Sequence, residues 1–315
     1  MLRFLARRLL VLVATLIVSS FVIYGSLYLA PGNPIATLTG GRTPSPEAIR
    51  TLEARYHLDR PFLVRYGLWL EGAVTGDFGV SIPHHQEVAD LITERGPTTA
   101  ALVAYASAII LVVGIGLGLL GGLKRGAIDT AVVVATTVSA AFPAFVAAIV
   151  LLLVFAVDLG WFPATGEGSG LVGTIRHLTL PAIALGLTSM ALVARVTRAA
   201  VKLELNKEHV QTARSRGIPF ALIVRRHVLR NAAIPITTIA GLTIASLIAI
   251  SAVVERAFAI NGLGAYLVEA AASKDFAVVQ GISLVLVGAF VVTNTIVDLL
   301  YALLDPRVKL GAKAE

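Results

Sequence analysis

Cysteine is absent from the 315-residue sequence, which removes disulfides, thiol catalysis and cysteine-based metal sites. His84, His85 and Glu87 are metal-ligand types, but neighbouring histidines do not converge on one helix face, and a solvated loop accounts for them. GLGLLG at 116–121 fits the glycine pattern of dinucleotide sites. That chemistry needs a strand before the glycines and phosphate access at a helix start, and an uncharged apolar run offers neither, so the match is rejected. His177 and His227 fall near opposite faces of any membrane arrangement, and no nucleophile–base spacing or GxxxxGK[ST] phosphate loop is present. Asp298 stands inside an apolar run, where an acid at a span centre costs about 2.5–3.5 kcal/mol. It lies two turns from Asp305, which favours a packing or polar-neighbour role. The densest chemistry is cationic: the island 208–235 holds Arg214, Arg216, Arg225, Arg226 and Arg230 between two long apolar runs.

The elements that position these residues are membrane spans. Apolar residues make up 57% of the chain, charged ones 14%, and the mean hydropathy is +0.84, far from a soluble domain with roughly a quarter of its residues charged. Spans are expected at 9–30, 96–123, 130–157, 178–194, 231–254 and 276–304. Arg3, Arg7 and Arg8 hold the N-terminus in the cytoplasm, and the first apolar core is too long for a signal peptide, so it reads as an uncleaved anchor. The order is then an N-terminal transmembrane helix (1–32), an extracytoplasmic domain (33–95), a five-helix core (96–304) and a cytoplasmic tail (305–315). The extracytoplasmic domain should contain helices at 45–56 and 61–74, and a short helix is expected at 265–272. Lys and Arg outnumber acids in the segments so placed in the cytoplasm, and acids outnumber them outside, in agreement with the positive-inside rule. Gly114, Gly118 and Gly122 form a smooth ridge for close helix packing. Pro143 should kink the third span, and Pro181 should sit in the first turn of a short fourth one. The fold class is all-α, a polytopic membrane protein with six transmembrane helices.

The island lies in the longest cytoplasmic segment between spans, 195–230, and its grammar is helix, turn, helix. Gly217-Ile218-Pro219 interrupts a helix-forming pattern. Beyond it, Phe220, Ile223, Val224 and Val228 share one apolar face while Arg225, Arg226 and Arg230 point elsewhere. A charged amphipathic helix resting on anionic headgroups is one reading of this pattern.

A second reading comes from resemblance. Gln211-Thr212-Ala213 followed by Gly217, and the run 226–231, resemble the EAA loop of permease subunits of binding-protein-dependent ABC importers. APGNP at 30–34, GDFGVS at 76–81, LGWFPATG at 159–166, TARSRG at 212–217, RHVLRNAAIP at 226–235, NGLG at 261–264 and LLYALLDPRV at 299–308 are similar, in order along nearly the whole chain, to the first of the two permeases in the dipeptide and oligopeptide branch. Two positions depart from the general loop pattern: Gln211 stands where an acid is usual, and the proline is displaced to Pro235.

The resemblance implies a type I importer permease fold with a cytoplasmic coupling loop at 202–232. Gln211, Thr212, Ala213, Gly217, Phe220, Ile223, Val224, Arg225 and Arg226 would contact an ATPase, and the segment 220–228 would fill its groove. It further implies a second homologous permease, two ATP-binding subunits or domains that use ATP and magnesium, an extracytoplasmic solute-binding protein, and the bacterial inner membrane with both termini cytoplasmic. This chain would hold no cofactor or metal, would touch no nucleic acid and would not itself be an enzyme. The cargo would be a di- or oligopeptide, with nickel or a sugar as alternatives. An ion-coupled secondary transporter is the rival class, and it would need buried ionisable residues or paired broken spans at mid-membrane.

Overall fold

The computed structural model describes residues 2–29, 60–81 and 83–304. The expected helix at 45–56, the 30–34 motif and the 305–315 tail lie outside the described residues. Among the described residues, ten helices and one small hairpin follow in order: α1 (Leu2–Leu29), α2 (Phe62–Thr75), β1 (Val80–Ser81), β2 (Gln86–Glu87), α3 (Val88–Leu123), α4 (Ala127–Ala141), α5 (Ala144–Asp158), α6 (Gly170–Leu205), α7 (Glu208–Ser215), α8 (Phe220–Ala257), α9 (Leu263–Ser273) and α10 (Phe276–Leu304). Five of them are long and apolar enough to cross a membrane: α1, α3, α6, α8 and α10.

The pair α4–α5 forms the remaining traverse, bent by 101° at Pro143. Its start is bonded to α6 through Asp129 and Arg198 at one end of the bundle. The chain that follows α5 is bonded to residues 258–261 at the other end. Two such segments meeting at this bend span roughly 28 Å end to end at 1.5 Å per residue, close to the ~30 Å hydrocarbon core. Pro143 was expected to kink a span, and it breaks one outright. Its extended backbone (φ −58°, ψ 148°) cannot carry the ladder, and the carbonyl freed at Phe142 accepts a hydrogen bond from the Thr188 hydroxyl of α6 at 3.0 Å.

Helix α6 is the axis of the core. Leu178, Leu180, Ala182, Ala184, Leu185 and Val193 are buried along it, in one cluster with Leu102, Ala106 and Ile110 of α3 and Leu247 and Val254 of α8. The glycine ridge of α3 sets how closely α6 approaches. A Cβ at Gly114 would stand 3.1 Å from the Met190 carbonyl oxygen, and one at Gly122 would stand 2.8 Å from the Val201 side chain. The second is a separation that real side chains avoid and the first is tighter than most of them make, so glycine at these positions sets the approach.

Several boundaries differ from the sequence reading. Helix α3 begins at Val88 rather than 96, and α6 runs for 36 residues from Gly170 rather than from 178. Pro181 is therefore buried in the interior of α6, not in its first turn. The polar residues that had marked loops lie within helices and find partners there or in neighbouring segments. His177 Nδ1 lies 2.9 Å from the Gly173 carbonyl oxygen of its own helix, Arg176 donates to the Trp161 carbonyl at 3.3 Å, and the Arg95 guanidinium stacks 4.2 Å from the Tyr266 ring centroid. Helix α2, expected at 61–74, packs on α1 through Phe62, Tyr66 and Trp69 against Phe21 and Tyr24.

Candidate functional site

The cationic island forms one end of the bundle. Helix α6 stops at Leu205, and the Lys207 carbonyl accepts from the Val210 and Gln211 amides at 3.0 and 3.2 Å to start α7. At the other end of α7, Gly217 adopts φ +72°, a left-handed conformation that favours glycine. It brings the Ile218 amide within 3.2 Å of the Ala213 carbonyl oxygen. Pro219 then opens α8, its carbonyl accepting from Leu222 and Ile223. Helix α7 is thus a free-standing eight-residue rod slung between two long helices.

Its inner face is apolar. Val210 and Ala213 are buried against Val201 of α6 and Ile223, Val228 and Ala232 of α8. Its outer face presents Gln211 and Thr212, both exposed. Beside it, Phe220 is 50% exposed with the Arg214 guanidinium 5.7 Å from its ring centroid.

The structure therefore divides the residues singled out from the sequence. Gln211, Thr212, Gly217, Phe220, Arg225 and Arg226 are exposed, Val224 is half-buried, and Ala213 and Ile223 are buried. One expectation is corrected. The segment 220–228 is not a separate helix but the first turns of α8, so Ile223 and Val228 fill this chain's own core rather than a partner's groove. The sequence could not show this, because the residue that covers them, Val201, belongs to another span. Within α8, residues Val224–Val228 form a π turn, and Arg225, Arg226, His227 and Arg230 line a cavity of about 690 Å³ with Leu222.

Ionic contacts tie the helices together at this end. Asp129 of α4 receives Arg198 at 2.5 and 2.9 Å and Lys202 at 2.5 Å, both from α6. Glu204 pairs with Lys207 at 2.5 Å, and His209 stands 3.8 Å from it. Asp298 of α10 pairs with Arg8 of α1 at 2.7 Å, so this intramembrane acid has a helix-to-helix partner.

The opposite end carries a polar assembly that the sequence reading missed. Glu255, at the end of α8, is fully buried; its carboxylate accepts from the Thr99 hydroxyl at 2.8 Å and from the Ala265 amide at 2.9 Å. Thr99 in turn accepts from the Leu263 amide at 2.8 Å. A carboxylate thus caps the N-terminus of α9, where partial positive charge favours it, and Gly262 lies so close over it that a Cβ there would collide. Glu167, in the loop after α5, reaches the Asn261 amide at 2.8 Å and the Thr98 hydroxyl at 3.1 Å. The only hint in the sequence is the NGLG turn beside an acid-bearing span end, because the partners stand far apart along the chain.

Ser81, His84 and Asp275 also meet here without forming a nucleophilic triad. Ser81 is buried and gives its proton to Asp275 at 2.5 Å rather than to His84, whose Nδ1 stands 3.3 Å from Ser81 Oγ and 3.2 Å from the Tyr266 hydroxyl, so the acid binds the serine and not the histidine. Burial, with the Asp275 charge, raises that hydroxyl above the ordinary tyrosine range.

A bundle of spanning helices around a glycine-packed axis, with a short rod slung between two of them at one end and a locked polar cap at the other, is the architecture of a multi-pass membrane protein of the transport class. Residues 114–310 match the binding-protein-dependent transport system inner membrane component, and residues 1–103 match the N-terminal component of the same systems. The chain belongs to this family and is a permease subunit.

It is 35% identical to the dipeptide transport system permease protein DppB of Bacillus subtilis, covering 99% of this chain and 100% of that protein. It is 32% identical to DppB of Alkalihalophilus pseudofirmus over 98% and 100%. It is 37% identical to a putative peptide transport system permease protein of Brucella abortus over 89% and 90%. Among solved structures, an inward-facing form of the MetNI methionine ABC transporter superposes with a TM-score of 0.57 at 18% identity, covering 68% of this chain and 96% of that one. This places the chain in the type I importer permease fold.

Proposed function

We propose that this permease carries di- or oligopeptides across the bacterial cytoplasmic membrane as one of two homologous permease subunits, with the translocation path between them. Two ATP-binding subunits, using ATP and magnesium, dock on the α7 end. A solute-binding protein delivers cargo at the α9 end. Both termini and α7 are cytoplasmic, as the excess of Lys and Arg at that end requires. The dipeptide permeases among the relatives support the cargo.

The observation that carries the ATPase contact is the division of α7 into two faces, Val210 and Ala213 turned into this chain and Gln211 and Thr212 turned out. A rod so wedged passes displacement to α6 and α8 together, and the Gly217 turn and Phe220 complete the surface it offers. Arg225 and Arg226, further along α8, act on the partner through charge at a distance.

Cross-linking tests the contact. A single cysteine at Gln211 should form a disulfide with a cysteine scanned along the ATPase surface in the assembled transporter, whereas one at Val210 should not. Cross-linking at Val210 and none at Gln211 refutes the assignment. Uptake of a radiolabelled dipeptide in vesicles, abolished by an ATPase-inactive partner, tests the cargo. Uptake of nickel or a sugar in place of the peptide by the same assembly gives the cargo to those solutes. Uptake that persists without ATPase activity and collapses with the proton gradient gives the rival class.

A further inference from the structure

The cavity at the start of α8 has a composition that the coupling role, which asks of Arg225 and Arg226 only charge at a distance, does not account for. Its lining is Leu222, Arg225, Arg226, His227 and Arg230, with no acid. None of the ion pairs among the described residues involves these arginines. Cations of like sign are held together here by backbone geometry. In an uninterrupted α-helix, residues five apart stand about 140° apart around the axis, which would send Arg225 and Arg230 in different directions. The π turn at Val224–Val228 closes its bonds over five residues, and so brings such positions round to one side. Gathering like charges opposes folding unless an anion occupies the space between them.

The depth of the cavity indicates which anion. The apolar part of α8 runs from Ala232 to beyond Val253 without a charge. Counting back from Ala232 at 1.5 Å per residue, Arg230, Arg226 and Arg225 lie about 3–10 Å past its end. Lipid headgroups occupy a layer roughly 5–8 Å thick at each face. Guanidinium forks match phosphate oxygens two at a time. The arginines are exposed but gathered round one concavity, an arrangement that suits a compact anion with several oxygens more than a flat acidic surface.

We infer that Leu222, Arg225, Arg226, His227 and Arg230 form a binding site for the phosphodiester headgroup of an anionic phospholipid of the cytoplasmic leaflet, a pair of linked phosphates fitting the paired forks best. The site stands beside the α7 coupling surface and shares Arg225 and Arg226 with the charge proposed to act on the ATPase. Bound lipid would neutralise the cations and fix the first turns of α8, whose Ile223 and Val228 anchor α7.

Native mass spectrometry of the assembled transporter, released from phosphatidylcholine nanodiscs doped with tetraoleoyl cardiolipin, tests this. Each arginine near a charged bilayer contributes roughly five-fold in affinity, so the triple variant R225Q/R226Q/R230Q should bind cardiolipin on the order of a hundred-fold more weakly than the parent. If the triple variant does not assemble, R226Q alone, about five-fold weaker, carries the test. Retention equal to the parent in a variant that assembles overturns the site. Equal retention of cardiolipin and phosphatidylcholine by the parent, with millimolar inorganic phosphate protecting the same residues from arginine-directed labelling, identifies free phosphate and overturns the lipid assignment. Loss of the ATPase subunits from the variant with cardiolipin retained assigns the arginines to a protein partner and overturns it as well.

Discussion

Replacing Glu255 should undock α9 from the end of α8 without unfolding the bundle. The carboxylate is the acceptor for two buried donors, the Thr99 hydroxyl and the Ala265 amide. Glu255→Gln keeps an oxygen for one of them and sets an amide N–H against the other. A buried donor left without an acceptor costs about 1–3 kcal/mol. Glu255→Ala strands both donors and adds a void, so its effect should be at least twice as large. Because amide exchange reports the population of the open form, hydrogen–deuterium exchange of Leu263–Ser273 should accelerate about five- to 150-fold in the glutamine variant and further in the alanine one. Glu208–Ser215, at the far end of the molecule, should exchange as in the parent. Thr99→Val removes the hydroxyl that both donates to Glu255 and accepts from Leu263, so it should accelerate the same segment, and the double variant should fall short of the sum because the two residues share one bond. If α9 exchanges at the parental rate in Glu255→Gln while the protein elutes as a folded complex, the carboxylate does not hold the helix and the reasoning fails.

The remaining predictions concern packing, charge and orientation. Gly118→Ala should lower the thermal midpoint in detergent, since its Cβ would stand 2.6 Å from the Ala194 carbonyl oxygen and overpacking costs about 1–3 kcal/mol. Gly116→Ala, with nothing within 4 Å of its Cβ, should hold or raise it, and equal effects at the two positions would contradict the ridge. Arg8 and Asp298 are each more than a third exposed, so Arg8→Gln, Asp298→Asn and the pair should cost only about 0–1 kcal/mol and should be non-additive. The pH profile of uptake should be unchanged in Asp298→Asn; a displaced profile would give that acid a proton-carrying role. Because the chain has no cysteine, Ser273→Cys should react with a membrane-impermeant maleimide in intact cells and Ser215→Cys only after permeabilisation, and the reverse pattern would invert the orientation proposed.

Features set by neighbours in sequence were legible, and features set by distant partners were not. The ridge Gly114–Gly118–Gly122 follows from spacing alone, and the turn at Gly217 from the residue type that favours a positive φ. Helix ends were misplaced where polar residues mimic a loop. Arg95 looks like a boundary until Tyr266 covers its guanidinium, and Arg176 and His177 do so until the Trp161 and Gly173 carbonyls take them. Hydropathy counts a charge as exposed whether or not the fold supplies its partner. The same limit hid the locked cap, since Glu255 and Thr99 are separated by 156 positions. It also made Ile223 look available to a partner when Val201 and Val210 already enclose it.

These contacts decide which motions the bundle allows. Helix α7 cannot move alone, because Val210 and Ala213 sit in the joint between α6 and α8. Nor can α6 slide along α3, since the glycine contacts at Met190 and Val201 leave no clearance for a passing side chain. Its basic end is fastened to α4 by Asp129, and the far end of α8 is fastened to α3 and α9 through Glu255. A displacement applied at α7 is therefore carried by α3, α6 and α8 as one body, since packed cores rearrange between discrete fits more readily than they deform. The break at Pro143 interrupts the helical ladder within a span, and there a single Thr188 hydroxyl bond at 3.0 Å replaces it. Bending at that joint costs least, so relative motion of the two halves of the bent span accompanies any rigid-body swing driven from the α7 end.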